Sequence, residues 1–432
     1  MKSTSTKRLY EIFKAHPIIS KDSRKLPTNC LYFALKGENF DGNKFAKEAL
    51  KKGAAYAVVD DYSLENNNQL LFVDDVLTAL QDLANYHRNK FDFPVIAITG
   101  SNGKTTSKEL IAAALSPKYK IAVTKGNYNN HIGVPLTLLS ISEGHELAII
   151  EMGANHQGEI NMLCQIANPT HGLITNIGKA HLEGFGGVEG ILKGKTELFR
   201  HLEKVNGTAY INLDDEKIAE NIPATRTITF STRKTADCRG TLETTHPELK
   251  GTWQMGKQGG TIESSLYGEY NFSNILAACC IASTFEVEEK KIDLAIASYH
   301  SEMNRSQLIQ QGSLTIYLDA YNANPTSMGL SLENFEKVEA KHKTAILGDM
   351  FELGNDAAKE HEVIILKAEK CNTITQCVFV GSNFYKLKDT SKKAQFFKTT
   401  QEAKDWFLKQ NLENVTLLLK GSRGMALEEL LK

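Results

Sequence analysis

Short apolar runs alternate with longer amphipathic stretches along nearly the whole chain. Runs of four apolar residues, such as residues 95–98 and 147–150, have the length of buried strands. Between them, residues 76–90 and 107–115 place apolar side chains at helical spacing. Strands that alternate with helices in this way are typical of α/β proteins with largely parallel sheets. The pattern therefore predicts an α/β fold.

The length of 432 residues exceeds one ordinary hydrophobic core and predicts two or three domains. The elements fall into three blocks: residues 1–92, 93–303 and 304–432. Residues 91–94 are a predicted hinge, because Pro94 disfavours helix at the residue before it. We predict strands at residues 31–35, 55–59, 95–98, 147–150, 171–175, 314–318, 344–347, 376–380 and 415–419.

Charge and composition narrow the class of protein. Lys and Arg number 50 and Asp and Glu 51, so no long-range basic field favours a nucleic-acid partner. The first 13 residues lack the apolar core of a signal peptide, and no apolar run is long enough for a membrane span. Seven scattered cysteines without a CxxC pair are typical of reduced thiols. We expect a cytoplasmic protein.

A glycine-containing loop follows the strand at residues 95–98 and precedes the helix at residues 107–115. Glycines let backbone N–H groups curl around a phosphate, and a helix N-terminus adds partial positive charge. In such a loop the lysine contacts the outer phosphates and the threonine hydroxyl can bind Mg²⁺. Ile98 stands where the longer form of the motif has its first glycine. The predicted nucleotide-binding residues are Gly100, Ser101, Asn102, Gly103, Lys104, Thr105 and Thr106.

This short loop resembles the ATP site of the Mur ligases of peptidoglycan synthesis and of their folate-ligase relatives. The resemblance continues through all three blocks and covers most of the chain. It implies an N-terminal UDP-binding α/β domain, a central P-loop ATPase domain with a mostly parallel sheet, and a C-terminal Rossmann-like domain. It also implies an enzyme that uses ATP to add D-alanyl-D-alanine to UDP-N-acetylmuramoyl-tripeptide in the cytoplasm, and we expect a monomer.

Two further segments resemble substrate-binding parts of the family. The segment from Asp22 to Gly42 is similar to the uridine-nucleotide domain, which implies that Ser23 and Arg24 contact the UDP group. Residues 124–135 match the Asn-rich active-site loop of the family. This match implies four more substrate-binding residues: Thr124, Asn127, Asn129 and Asn130.

The resemblance implies two Mg²⁺ ions. Glu151, directly after a predicted strand, corresponds to the ligand of the ion that bridges the ATP phosphates, together with Thr105. His181 corresponds to a ligand of the second ion, although Mg²⁺ usually prefers oxygen. Lys195 corresponds to a lysine that becomes carbamylated and then offers anionic oxygens, and Lys193 is its near neighbour. Carbamylation requires an uncharged amine, and burial favours one.

The nucleoside end of ATP is expected to contact the second and third blocks. Asn271 and Asn274 match the helix start that lies near adenine in the family, but Tyr270 stands where the family commonly has His. Arg305 corresponds to an arginine near the ATP phosphates. Asp319, at a strand end, is expected either to hold the ribose or to help orient Arg305.

The third block carries the most distinctive segment, residues 318–325. It implies that Tyr321, Asn322 and Asn324 contact substrate, and the segment after the last strand adds Ser422 and Arg423. Lys104, His181, Lys195 and Arg305 together form the predicted catalytic set. The alternatives are a family member that adds a single amino acid, a folate ligase, or a catalytically silent nucleotide-binding scaffold.

Overall fold

The computed structural model describes residues 3–65, 67–246, 248–301, 304–410 and 412–432. These residues form three main sheets and one two-stranded ribbon, each sheet packed against helices. The predicted α/β class is confirmed. Short 3-10 helices complete the structure at Gly42–Phe45, Gly354–Asp356, Lys388–Thr390, Arg423–Met425 and Leu427–Leu431.

The first sheet has four parallel strands in the order β1-β2-β5-β6. Its strands are short, but the central β2 is fully buried, so the sheet has a continuous apolar core. The elements in chain order are α1 Thr6–Ala15, β1 Ile19–Ser20, β2 Leu31–Phe33, β3 Lys36–Gly37, β4 Phe40–Asp41, α2 Ala46–Lys51, β5 Tyr56–Val59, β6 Leu70–Phe72 and α3 Val76–Arg88. The ribbon pairs β3 with β4.

The central sheet has nine strands in the order β15-β14-β13-β12-β11-β10-β7-β9-β8. Strands β7 to β13 are parallel to one another, so the predicted mostly parallel sheet is confirmed. The first elements are β7 Val95–Thr99, α4 Lys104–Leu115, β8 Ile121–Val123, α5 Gly133–Leu138, β9 Leu147–Glu151, α6 Glu159–Ala167 and β10 His171–Ile174. Next come α7 Leu182–Phe185, α8 Val188–Lys195, α9 Glu197–Lys204, β11 Thr208–Asn212, α10 Glu216–Ala219, β12 Arg226–Ser231, β13 Cys238–Thr244, β14 Leu249–Met255, β15 Gln258–Ser264, α11 Glu269–Thr284 and α12 Glu289–Ala297.

Strands β13 to β15 form an antiparallel extension that the sequence pattern did not predict. Only one face of this extension is covered, so its strands alternate buried and exposed residues instead of forming an apolar run. Glycines and polar residues interrupt the alternation further. The signal was therefore weaker than that of β7 or β9, all of whose residues are buried.

The third sheet has six strands in the order β16-β17-β21-β18-β19-β20, and only β16 is antiparallel to its neighbour. This doubly wound arrangement agrees with the predicted Rossmann-like domain. Its elements are β16 Gln307–Gln311, β17 Leu314–Asp319, α13 Pro325–Glu336, β18 Lys343–Gly348, α14 Ala357–Lys370, β19 Gln376–Val380, α15 Ser382–Lys386, β20 Gln395–Phe397, α16 Thr400–Phe407 and β21 Thr416–Lys420.

Buried contacts fasten the first sheet region to the central one. Helix α3 packs against α5 and α6, and the guanidinium of Arg88, 4% exposed, donates to four backbone carbonyls. Two of these belong to Phe91, at 2.6 Å, and Ala167, at 3.2 Å. The segment predicted as a hinge is thus bonded to Arg88 at the end of α3, and whether it bends stays a prediction.

The third sheet region docks on the central one through aromatic and polar contacts. Tyr267 lies edge-on to Tyr317, with ring centroids 5.0 Å apart. The Glu269 backbone N–H donates to the Asn334 side chain at 2.9 Å. The boundary predicted after residue 303 adjoins residues 302 and 303, which lie outside the described residues. Within those described ranges, no helix combines the length and apolar character needed to cross a bilayer.

Candidate active site

A cavity of about 730 Å³ lies where the carboxyl ends of the central strands face the third sheet. Open α/β sheets bind ligands at this edge. Most of the residues predicted from the sequence line it: Ser101, Asn102, Gly103, Lys104, Thr105, Thr106, Asn127, Asn129, Asn130, Glu151, His181, Asn271, Asn274, Arg305, Asp319, Tyr321, Asn322 and Asn324. Residues from loops of the central and the third sheet regions thus meet at one site.

Seven predicted residues are not part of this lining. Gly100, Thr124 and Lys195 lie next to it, because each is hydrogen-bonded to a residue of the lining or adjoins one. The others lie elsewhere: Ser23 and Arg24 in the first sheet region, and Ser422 and Arg423 after β21. The structure therefore separates a central cluster from two outlying pairs.

The phosphate loop connects β7 to α4, and other residues pack closely against its glycines. Gly103 precedes α4 at φ +77°, a left-handed conformation, and a Cβ on it would meet Asn274 at 2.7 Å. A Cβ on Gly100, at φ +140°, would lie 2.0 Å from the Thr175 hydroxyl oxygen. Glycine is therefore required at both positions by conformation and by close approach. The prediction of a strand, loop and helix in register agrees with this geometry.

Lys104 folds back onto its own loop. Its Nζ donates to the Gly100 carbonyl at 2.6 Å and to the Ser101 carbonyl at 3.1 Å. The pKa of Lys104 is lowered to about 8, chiefly by burial; the charge of Glu151 opposes this shift and the positive charge of Arg305 adds to it. Carbonyl dipoles are weak partners for a desolvated ammonium. A phosphate group in the cavity would supply the missing negative charge.

Glu151 ends β9 and is 1% exposed. Its Oε1 accepts hydrogen bonds from the Asn129 amide at 2.8 Å and the Thr105 hydroxyl at 3.2 Å. Its Oε2 has no hydrogen-bond partner among the described residues, although the Lys108 ammonium lies 3.9 Å away. A buried carboxylate oxygen without a donor fits an expected cation ligand, since Mg²⁺ is usually held by one or two carboxylates plus phosphates and waters.

Lys195 is 1% exposed, and among the described residues its ammonium donates to the Ala154 carbonyl alone, at 3.2 Å. Burial holds its pKa well below the ordinary value, and the charge of Lys104 adds to the shift, whereas Glu159 and Glu197 oppose it. The neighbouring Lys193 is exposed. Of the two lysines, Lys195 is the buried one, and burial favours the uncharged amine that carbamylation requires.

His181 precedes α7 at φ +54°, and its Nδ1 contacts the Glu352 carboxylate of the third sheet region. The contact holds the pKa of Glu352 below its ordinary value. No group of three or more His, Cys, Asp or Glu side chains that could hold a metal occurs among the described residues. The protein atoms alone therefore do not form a complete metal cage, and phosphates or a modified Lys195 would have to contribute ligands.

The side-chain amides of Asn271 and Asn274 are hydrogen-bonded to other groups of the protein. The Asn274 oxygen accepts from the Ser107 hydroxyl at 3.1 Å, and its nitrogen donates to Asn271 at 3.0 Å. Asn271 donates in turn to the Tyr267 carbonyl and the Ser306 hydroxyl. Through Ser107, Asn274 thus holds α11 against α4, the helix that follows the phosphate loop. Contact with adenine, which the resemblance implied, stays a prediction.

Arg305 and Asp319 lie on the third-sheet side of the cavity, but each has a different partner. The Arg305 guanidinium lies 3.5 Å from the ring centroid of Tyr321. Asp319 ends β17 and pairs with Lys420 at the end of β21, with 2.5 Å between Oδ2 and Nζ. One expected role of Asp319 was to orient Arg305, but no contact between these two described residues is seen. The ribose role stays a prediction.

The outlying pairs are held by local contacts. Arg24 is largely exposed and forms a two-pronged ion pair with Asp22, both bonds at 2.9 Å. This pair holds the pKa of Asp22 well below its ordinary value. Ser422 is buried and accepts from the Phe351 backbone N–H at 3.1 Å, while Arg423 is exposed and pairs with Glu428. None of these four contacts the cavity.

The sequence analysis missed several residues of the cavity. Lys420 is the main one, since it is 2% exposed and neutralises Asp319. Others follow strands: Asn176 after β10, Asn212 at the end of β11 and Arg233 after β12. The available signal was a polar residue directly after a predicted strand. Strands β11 and β12 were not among the predicted strands.

The fold and the cavity define a class: a three-sheet α/β enzyme with a phosphate loop facing a third, Rossmann-like region. Models of three Mur ligase domains match the chain: the Mur ligase family, catalytic domain over residues 17–88, the Mur ligase middle domain over 98–282, and the Mur ligase, glutamate ligase domain over 304–423. The chain belongs to the Mur ligase family.

Similar proteins agree with this assignment. UDP-N-acetylmuramoyl-tripeptide–D-alanyl-D-alanine ligase of Bacillus subtilis is 35% identical over all of this chain and 96% of its own length. The crystal structure of MurF from Acinetobacter baumannii has a TM-score of 0.88 at 31% identity, covering 96% of this chain and 92% of that one. MurF ligase from Thermotoga maritima in complex with ADP gives 0.84 at 27% identity, covering 96% of each chain.

Proposed function

We propose that the protein uses ATP to join D-alanyl-D-alanine to UDP-N-acetylmuramoyl-tripeptide in peptidoglycan precursor synthesis. The observation that carries the proposal is the meeting of the phosphate loop, Glu151 and the turn from Asp319 to Asn324 in one cavity. The full-length similarity to the Bacillus subtilis ligase supports the choice of substrates.

The reaction must join a carboxylate to an amine, and a carboxylate is a poor electrophile. Transfer of the γ-phosphoryl group of ATP to the tripeptide carboxylate gives an acyl phosphate and ADP. The amine of D-alanyl-D-alanine then attacks the acyl carbon, phosphate leaves, and the amine loses a proton. The protein contributes positioning, charge neutralisation and exclusion of water.

Lys104 and Arg305 are the cations that face this transfer. Lys104 is poised to exchange two carbonyl contacts for phosphate oxygens. The Arg305 guanidinium lies over the Tyr321 ring, and this contact limits its freedom. Because one comes from the central region and the other from the third, both act on one phosphoryl group only when the two regions are docked.

The residues present could hold two Mg²⁺ ions, and a different observation supports each of the two sites. Thr105 and Glu151 would hold the first, and the unpartnered Glu151 Oε2 supports this assignment. His181 and a carbamate on Lys195 would hold the second, and the burial of Lys195 supports the carbamate. When bound, the ions neutralise the phosphate and carboxylate oxygens that approach one another.

The UDP end of the substrate is proposed to lie along the first domain, residues 1–92, near Ser23 and Arg24. Lys21 lies 5.8 Å from the ring centroid of Tyr128 and so connects this region to the Asn-rich loop. The tripeptide would then extend past Asn127, Asn129 and Asn130 into the cavity of the central domain, residues 93–303. The third domain, residues 304–432, would bring the acceptor. We further propose a cytoplasmic monomer.

Mass spectrometry of the product tests this function. The protein, ATP and Mg²⁺ are incubated with UDP-N-acetylmuramoyl-tripeptide and either D-alanyl-D-alanine or single amino acids. We expect one product, heavier by the dipeptide less one water. A product with a single amino acid would favour a different member of the family. No product with any acceptor would favour a nucleotide-binding scaffold.

A further inference from the structure

The Asn324 side chain makes two hydrogen bonds, and both are to other groups of the protein. Its side-chain oxygen accepts from the Ser327 backbone N–H at 2.9 Å and so caps α13. Its side-chain nitrogen donates to the Asn102 side-chain oxygen at 2.7 Å. Because the Ser327 N–H can only donate, the orientation of the Asn324 amide is fixed. The amide of Asn102 is then fixed as well.

The backbone of Asn102 is held by a different residue. Asn176 accepts from the Asn102 N–H at 3.0 Å and donates to its carbonyl at 3.0 Å. The backbone of Asn102 is therefore fixed within the central domain, and its side chain is the part that can change orientation with contacts from the third domain. Its oxygen is used by Asn324, and its nitrogen is buried without a partner among the described residues. An amide donor in the phosphate loop is thus left over for a ligand.

We propose that Asn324 is a positioning residue that turns the Asn102 amide so that its N–H₂ group donates to a phosphoryl oxygen of the nucleotide. This proposal rests on the proposed function and deepens it. It makes one donor of the phosphate site depend on a residue of the third domain, 222 residues later in the chain. Docking of α13 would then complete the phosphate site as well as close it.

Contacts beside this bond hold the first turn of α13, and also α14, on the loop that follows β10. The Lys179 backbone N–H donates to the Thr326 hydroxyl at 2.9 Å, and the Lys179 ammonium pairs with Glu360 at 2.5 Å. A Cβ on Gly178 would lie 3.0 Å from Thr326. The approach of α13 is therefore close and specific, so a change at Asn324 need not displace the helix.

Asn324→Asp separates the two contacts. An aspartate caps a helix about as well as asparagine. It cannot donate to Asn102, so the Asn102 amide is expected to flip and direct its oxygen at the phosphate. We expect the affinity for a non-hydrolysable ATP analogue, measured by calorimetry, to fall about 10- to 100-fold, as for the loss of one donor to a phosphoryl group. The melting temperature of the free protein should stay within a few degrees.

A double-mutant cycle with Asn102→Ala distinguishes amide orientation from added charge. Asn102→Ala removes the same donor, so it should weaken binding by a similar factor. In its background, Asn324→Asp should have little further effect. Factors that multiply would overturn the proposal, as would unchanged binding by Asn324→Asp. Lys337→Met, which removes an exposed interdomain ion pair with Glu269 away from the loop, is the matched control and should change affinity by less than about 3-fold.

If Asn324→Asp unfolds the protein, Asn324→Ser replaces it, since serine caps a helix but is too short to reach Asn102. Weaker binding that disappears in the Asn102→Ala background supports the proposal, and unchanged binding overturns it. Calorimetry needs neither D-alanyl-D-alanine nor the UDP substrate. A protein that bound nucleotide in this way without joining the dipeptide would therefore contradict only the proposed function.

Discussion

Glu151 and Lys195, on the central-domain side of the cavity, are each 1% exposed and are held by the protein around them. On the third-domain side, Arg305 contacts the Tyr321 ring and Asp319 pairs with the Lys420 ammonium group. Glu151 is the last residue of β9, all of whose residues are buried, and Lys195 is the last residue of α8. The second set reaches the cavity from the third domain, whose α13 and α14 contact the central loop that contains Lys179. We infer from this difference that the central side is preformed, whereas the third-domain side acts only when it is docked.

If this comparison is correct, the largest loss follows from Lys104→Ala. The change removes the cation that the phosphate loop holds ready, and we expect ligation to fall about 1,000-fold or more. The measurement is phosphate release from ATP with both substrates present. Turnover within about tenfold of the unmodified protein would remove the loop from the mechanism.

Lys195→Ala tests whether the buried amine acts as a carbamate. We expect activity to fall more than about 100-fold and to be partly restored by a short carboxylate such as acetate, which could replace the carbamate oxygens. Lys193→Ala, at the exposed neighbour, is the matched control and should be nearly normal. Near-normal activity of Lys195→Ala would contradict the carbamate, and a loss without rescue would indicate a role in packing.

The lowered pKa of Lys104 predicts a pH dependence of nucleotide binding. Below about pH 8 the amine is protonated and attracts the phosphates, whereas above it the free protein must take up a proton to bind. The dissociation constant of an ATP analogue should therefore rise with pH above 8, by up to about tenfold per pH unit. Calorimetry between pH 7 and 9.5 measures this. Lys104→Gln should abolish the dependence, and a flat profile in the unmodified protein would contradict it.

On the third-domain side we expect smaller effects, because its groups act through fewer contacts. Lys420→Met leaves Asp319 without its counter-charge, and the KM for ATP should rise about tenfold with a smaller change in kcat. The matched control is Lys432→Met, which removes an exposed Lys–Glu pair of the same domain and should change neither value. A KM equal to that of the control would show that Lys420 does not position Asp319.

The smallest effect is expected at Tyr270, where the family commonly has His. Its pKa is raised by burial and by the charge of Asp319, so the hydroxyl stays protonated at working pH. Replacing it by His should change kcat/KM for ATP by less than about 3-fold, since a polar ring is kept at the same place. Steady-state kinetics measure this ratio. A loss above tenfold would mean that the adenine end of the cavity has been rebuilt in this chain.

The sequence predicted the central side of the cavity better than the third-domain side, for physical reasons. Buried parallel strands such as β7 and β9 are uninterrupted apolar runs, so their ends, and with them Lys104 and Glu151, could be located. Contacts such as that between Asn102 and Asn324 join residues far apart in the chain, and no local pattern encodes them.

Other features could not be predicted because the local sequence pattern does not show how a side chain packs. Lys420 follows a strand as the motif predicts, but a lysine gives no sign that it will be 2% exposed beside a carboxylate. Ser422 and Arg423 belong to the same segment, yet they turn away from the cavity and bond to their own domain. The half-covered strands β13 to β15 left an alternation too irregular to recognise.

One measurement tests the central claim most directly: phosphate release from ATP with UDP-N-acetylmuramoyl-tripeptide, with and without D-alanyl-D-alanine. If both sides of the cavity serve one ligation, release should require both substrates and should equal the amount of joined product. Release that is independent of D-alanyl-D-alanine, or that is stimulated by a single amino acid instead, would contradict the account.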